Sequence, residues 1–318
     1  MLHEVRIMRI EIYTDSAREL WNSFLNNSKN GLFMFNRNYM EYHKDRFEDN
    51  SLLFFDDKDE LVSILPLSKK ENTLISHGGL TFGGFITNDK MKQHHMNDLF
   101  FSVTDYMKKN GYSNLIYKAI PHIYHKQPAE EDLYSLFCNN AKVEKIEAAT
   151  VINLQNKIKM PKGRKAQVTR ARREGVVFGE SIDFDSFIEL ENEVLKEHHN
   201  AKAVHTGAEL KLLHENFPEQ IKLFTGSLNG KIIAGCVLFI YDKVVHTQYL
   251  AANDLAREIG ALDFVVSNLI EIYGQTKTWF DFGKSTEGNG SILNEGLISQ
   301  KEGFGGRTFV YQTYNLSV

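Results

Sequence analysis

The feature that most restricts how this chain can fold is a plan that occurs twice. In the first half, Ser51–Phe55 and Glu60–Leu67 flank a turn of acids and Lys58, which reads as a hairpin. Leu80–Thr87 follows as a third strand beside four glycines, Gly78, Gly79, Gly83 and Gly84. An amphipathic helix then covers about Met91–Asn110, and Leu115–Ile120 is a buried strand closed by Pro121. In the second half, Ile221–Thr225 and Lys231–Tyr241 flank Leu228-Asn229-Gly230, and Val244–Ala251 is the third strand. The helix covers about Ala256–Tyr273, with Leu262, Val265, Val266, Leu269 and Ile270 on one face, and Thr278–Phe282 is the buried strand. The two series share pattern and few identical residues. A repeat of this length predicts two copies of one α+β domain, each a mixed, mostly antiparallel sheet flanked by helices.

The 318 residues suit two domains of ordinary size. Composition changes sharply over Lys157–Arg173, which is dense in lysine and arginine and holds Pro161 and Gly163. That change puts the boundary at about residue 156, giving domains 1–156 and 157–318, with Thr308–Tyr314 expected to cross back to the first. A hydrophobic share of 42% and a charged share of 25% are those of a chain that buries a core. The net charge of -4 excludes no partner, because a local patch of either sign can sit on a near-neutral protein. Cys138 and Cys236, one in each half, make no disulfide framework and suit a reducing compartment. The first residues lack a signal-peptide core, and the longest apolar run, Ile232–Tyr241, is too short to cross a bilayer. A cytoplasmic protein without membrane insertion is expected.

Two histidine groups, His94-His95 and Glu197-His198-His199, lack the further spaced ligands a metal requires, so no metal is expected. The basic stretch Arg164–Arg173 reads as a helix stopped at Gly175. A stripe with Arg164 and Arg172 suits phosphates of a nucleotide-sugar, a lipid pyrophosphate or tRNA, whereas the plain alternative is a solvated helix face. DNA is not an expected partner, and the oligomeric state stays open.

A hairpin, a third strand and a helix entering beside a parallel strand resemble the middle of a GCN5-related (GNAT) acyltransferase. In that plan two parallel strands part at their ends, and the helix N-terminus between them offers free N–H groups to a pyrophosphate. The loop around Ala251, Asn253, Arg257, Gly260 and Ala261 is similar to the GNAT pyrophosphate loop, with its final small residue one position early. The plain alternative is a capped turn.

A sharper resemblance lies in Trp279-Phe280-Asp281-Phe282-Gly283-Lys284-Ser285, Asn294-Glu295-Gly296-Leu297 and Lys301-Glu302-Gly303-Phe304-Gly305. With His205-Thr206 and His246-Thr247-Gln248-Tyr249, these resemble the GNAT-like acyltransferases related to the Fem peptidyltransferases, in their polysaccharide-modifying acetyltransferase branch. The resemblance covers about residues 160–318. It implies tandem GNAT-like domains and an acyltransferase. The donor would be acetyl-coenzyme A and the acceptor a small-molecule amine, on a nucleotide- or lipid-linked sugar of surface polysaccharide. The alternative it implies is a Fem-type transfer from aminoacyl-tRNA to a peptidoglycan precursor. A non-catalytic GNAT-like binding module is a third possibility.

For individual residues, the resemblance implies that Lys301 binds a substrate phosphate or steadies an oxyanion. Asp281 then holds or deprotonates the amine, or else pairs with Lys284 or Arg307 for structure alone. His246 is a base and Tyr249 an acid if a bulge turns both to one face of the strand; a satisfied core histidine is the alternative. His205, Gln248, Ser285 and Asn294 are candidate substrate contacts. The first half is expected to have lost its donor site and to shape the acceptor cleft.

Overall fold

A computed structural model describes residues 7–199 and 202–318, without the side chains of residues 197–199. The reading of Glu197-His198-His199 therefore lies outside the described residues. The chain divides into two compact units, residues up to Glu147 with Val310–Val318, and Ala148–Phe309.

In the second unit the sheet order is Val177–Ser181, Ile221–Leu228, Lys231–Ile240, Val244–Ala252, Trp279–Lys284 and the end of Lys142–Asn153. Neighbours are antiparallel except Val244–Ala252 and Trp279–Lys284, which run parallel. Helix Ala261–Tyr273 covers one face. Its Leu262, Val265, Val266, Leu269 and Ile270 pack with Ala234, Cys236, Leu238, Val245, Phe280 and Phe282. Full burial of a side chain such as Phe280 contributes about 2–3 kcal/mol. Helix Phe184–His199 covers the other face, against Lys231–Ile240 and Val244–Ala252. It seats Phe187 over Gly235, where a Cβ would come within 2.8 Å of the ring.

The helix expected over Ala256–Tyr273 is in fact two, Asp254–Ile259 and Ala261–Tyr273, broken at Gly260 with φ of 79°. Asn253 caps the first by accepting from the Ala256 N–H at 2.9 Å. Left-handed φ is cheap only for glycine, which explains the residue at the break.

The first unit departs further from expectation. The hairpin is there, as Leu52–Phe55 and Leu61–Leu65, and Arg9–Ile12 and Ile86–Thr87 flank it. Of the glycine-rich segment expected as a strand, only Ile86–Thr87 pairs. A second sheet joins Glu48–Asp49, Ser68–Lys70, Thr73–Ile75, Asn114–Lys118 and the end of Arg307–Ser317. Thr73–Ile75 takes the parallel position beside Asn114–Lys118. The glycine-rich loop then fills the space along that strand: Gly83 N–H donates to Lys118 O at 2.8 Å, and the Lys118 ammonium donates to His77 O at 2.6 Å. Gly83 belongs there because a Cβ would lie 2.1 Å from Ser76 O. Both cysteines are free. Among the described residues, no helix is long and apolar enough to cross a membrane.

Candidate functional site

The site grows from the parallel pair of the second unit. Pairing runs through Val244↔Trp279, Val245↔Phe280 and His246↔Asp281, and the two strands are unpaired beyond that point. Val244–Ala252 continues against Lys231–Ile240 as far as Ala252. Trp279–Lys284 instead turns toward Lys142–Asn153, with a register shift between Asp281 and Lys284 and Gly283 at φ of 69°. The two strands part there, leaving backbone groups on the facing edges.

A bulge sets which side chains face the gap. Val237 is opposite Tyr249 and Leu238 opposite Thr247, so Gln248 is an extra residue. That bulge puts His246 and Tyr249 on one face, although three positions separate them. Val245, Phe280 and Phe282 occupy the other face, in the core under helix Ala261–Tyr273.

Asp281 is fully buried and links the two parallel strands. Its Oδ2 lies 3.2 Å from His246 Nδ1, and its Oδ1 accepts the Gly283 N–H at 2.7 Å. A carboxylate only accepts, so the imidazole carries its proton on Nδ1. Lys301 sits on helix Glu295–Glu302 and is 6% exposed. Its ammonium donates to Gly283 O at 3.1 Å and to Lys284 O at 2.6 Å. Burial pushes it down to about 8, against the opposing pull of the Asp281 charge. Asp281, His246 and Lys301 therefore converge on the turn at Gly283.

Tyr249 is placed differently. Its hydroxyl lies 2.7 Å from His205 Nδ1 and accepts the His205 N–H at 3.2 Å. Burial, chiefly, pushes the phenol up to about 12. Its hydroxyl thus ties down the segment before helix Gly207–Asn216, whose N-terminus is closed by the reciprocal Thr206–Glu209 capping box. Gln248 is half-buried in the bulge. Asn294 caps helix Glu295–Glu302 by accepting from the Leu297 N–H at 2.9 Å, and its amide nitrogen donates to Glu287 at 2.7 Å. Ser285 is buried, and its hydroxyl has no hydrogen-bond partner.

In the loop resembling a pyrophosphate cradle, Gly260 and Ala261 are buried, and Asp254, Leu255 and Arg257 are exposed. A Cβ on Gly260 would stand 2.6 Å from Gln167 O on helix Lys162–Arg173. That helix is held down by Arg164–Asp263 at 2.5 Å and Arg170–Glu258 at 3.1 Å. Arg164 also donates to Gln300 O and stacks over Phe304 at 4.1 Å, so it is a tether, while Arg172 is exposed and lies 5.8 Å from the Phe264 ring. Arg257 pairs with Asp254 at 2.9 Å, and Ala251 and Ala261 are buried. Among the described residues no group of three metal-binding side chains occurs.

One residue on the Tyr249 side escaped the sequence reading. Glu191, 8% exposed, is carried by helix Phe184–His199, and its Oε2 has no hydrogen-bond partner. Burial pushes its carboxyl up to about 7. The signal was there: Phe184, Phe187, Ile188 and Leu195 mark an apolar stripe at helical spacing, and position 191 is an acid on that stripe.

No family model matches this sequence, and no curated protein matches it. Solved structures do match in fold. FemX aligns with a TM-score of 0.67 at 11% identity, over 98% of both chains. L-PGS from Bacillus licheniformis aligns at 0.63 and 14% identity, over 96% of this chain and 92% of that one. A tandem GNAT protein from the clavulanic acid biosynthesis pathway aligns at 0.52 and 8% identity, over 98% of both. With the order of elements and the parting of the parallel strands, these alignments give the chain the GNAT-like, Fem-related fold.

Proposed function

We propose that this protein is an acyltransferase that moves an acyl group onto an amine at the gap beyond His246 and Asp281. The observation that supports this most is the convergence of Asp281, His246 and the Lys301 ammonium where the parallel strands part. The edge of Val244–Ala252 left without its parallel partner there can pair with an extended donor arm, and Lys301 can steady the oxyanion formed as the neutral amine attacks. The acceptor is an amine on a nucleotide- or lipid-linked molecule made in the cytoplasm. In the first unit the glycine-rich loop bonds along Asn114–Lys118, which favours a single donor site, in the second unit.

The donor is either acetyl-coenzyme A or the aminoacyl ester of a charged tRNA. The imperfect cradle at Gly260 and Ala261 favours the ester. A coenzyme A pyrophosphate needs open N–H groups at the helix N-terminus. Here Gly260 packs against Gln167 and Ala261 is buried, one position early for that cradle.

Radiolabelled acetyl-coenzyme A and charged tRNA, each offered with nucleotide-linked amino sugars and muropeptides, test this reading. Transfer from charged tRNA that ribonuclease abolishes is expected. Acetyl-coenzyme A turnover on an amino sugar would return the donor to the thioester. No transfer from either donor would leave a binding module.

A further inference from the structure

We propose that Glu191 is the base that takes the proton from the attacking acceptor amine. The assignment rests on the acyl-transfer reading above. It starts from where helix Phe184–His199 lies. That helix packs on Lys231–Ile240 and Val244–Ala252, on the face opposite helix Ala261–Tyr273. This is the face to which the Gln248 bulge turns both His246 and Tyr249.

The carboxyl is placed along the strands by Phe187, one helical turn before it, whose ring lies over Gly235, the residue opposite Ala251. After burial, which dominates both, Glu191 helps to push up the Cys236 thiol and the Tyr249 phenol. In the ladder Val237 is opposite Tyr249 and Cys236 opposite Leu250. Glu191 therefore stands over the stretch of Val244–Ala252 beyond His246, where the parallel partner has left.

A helix residue packed into such a place is ordinarily apolar, because a buried carboxyl without a partner is costly. Glu191 is more than nine-tenths buried, and its Oε2 has no hydrogen-bond partner. The other titratable groups around it are engaged or apart. His205 is bonded to Tyr249, Glu209 is locked in its capping box, and His214 lies 2.7 Å from Ile221 O. Cys236 faces the opposite core. Burial holds the Glu191 carboxyl near neutrality, where a base is most effective.

The step balances as follows. The neutral amine nitrogen attacks the carbonyl carbon and the C–N bond forms. The bond from that carbon to the ester oxygen, or thioester sulfur, breaks with its electron pair. The proton lost by nitrogen goes to Glu191, which releases it to solvent, and the departing group is protonated from solvent.

Glu191→Gln tests the assignment with two acceptors, glycinamide and hydroxylamine, with acetyl-coenzyme A and charged tRNA each tried as donor. Hydroxylamine is weakly basic and strongly nucleophilic, so it depends little on a base. Transfer to glycinamide is expected to fall about 10²–10⁴-fold in the variant, and transfer to hydroxylamine less than tenfold. The rise of rate with pH near neutrality, present in the wild type, should vanish. An equal fall for both amines, or a preserved pH limb, overturns the role of Glu191. A wild type that transfers neither to these amines nor to a nucleotide-linked amino sugar or muropeptide overturns the acyl-transfer reading itself. Denaturant melts of the variant should show a fold no less stable than the wild type, because the substitution removes a buried unpaired carboxyl.

Discussion

Lys301→Ala is expected to lower kcat about 10²–10³-fold while leaving the protein folded, the range seen when one donor to a developing oxyanion is removed. The Lys301 ammonium gives two of its three hydrogens to Gly283 O and Lys284 O. Those bonds fix it, and the third hydrogen is available to the site. Lys301→Arg should rescue little, since a planar fork cannot reproduce a point charge held by two adjacent carbonyls. The rate should also fall as pH rises through about 8, where the buried ammonium loses its proton. The stability sign runs the other way. The folded value lies below the ordinary lysine value of 10.5, so the unfolded chain holds the proton more tightly between the two. The cost of burying the cation is full below about pH 8 and fades as pH rises toward 10.5. Alanine removes that cost but leaves Gly283 O and Lys284 O without their donor, so lost activity in Lys301→Ala should come with a smaller loss of stability than Asp281→Ala shows. Parallel kinetics and urea melts check this, and activity within a factor of three of wild type would remove Lys301 from the mechanism.

Asp281→Ala is expected to be the most destabilising of these substitutions, by about 3–5 kcal/mol, because it strands two buried donors. The fully buried carboxylate accepts from His246 Nδ1 and from the Gly283 N–H. Without it both donors are buried and unmet, each at about 1–3 kcal/mol. The turn that aims the Gly283 carbonyl at Lys301 also loses its brace. Asp281→Asn keeps the shape and one acceptor, so it should cost about half as much in a urea melt. If Asp281→Ala melts like the wild type, the linkage through Gly283 does not hold the site together.

Much of the second unit was legible because its strands are long and its helix strongly periodic. Ile221–Leu228, Lys231–Ile240 and Val244–Ala252 each fill a full ladder. The first unit was harder. Ser68–Lys70 and Thr73–Ile75 are three residues each, too short for alternation to show, and only tertiary pairing makes them strands. Gly78, Gly79, Gly83 and Gly84 looked like part of a strand, yet they serve close approach to Ser76, His43, Phe47 and Tyr117. The helix break at Gly260 was hidden by a continuous apolar pattern on both sides.

Within the site, sequence named Asp281, His246 and Lys301, which the fold brings to one turn. It also named Asn294 and Arg164, whose side chains the fold spends on a helix cap and a tether. A motif marks a position without saying which of its atoms are already bonded. Glu191 was passed over for the opposite reason, since no motif surrounds it. Only its place on an apolar helix face, against strands with a bulge at Gln248, makes it more than a surface acid.

The central claim is that the donor lies where Val244–Ala252 and Trp279–Lys284 part. Crystals grown with a non-hydrolysable aminoacyl-adenosine amide, and separately with a thioether of acetyl-coenzyme A, test it most directly. The account predicts density for one of them along the strand edge beyond His246, its carbonyl oxygen within hydrogen-bonding distance of the Lys301 ammonium. Density for a donor along Asn114–Lys118 in the first unit instead, or its carbonyl turned away from Lys301, would contradict it.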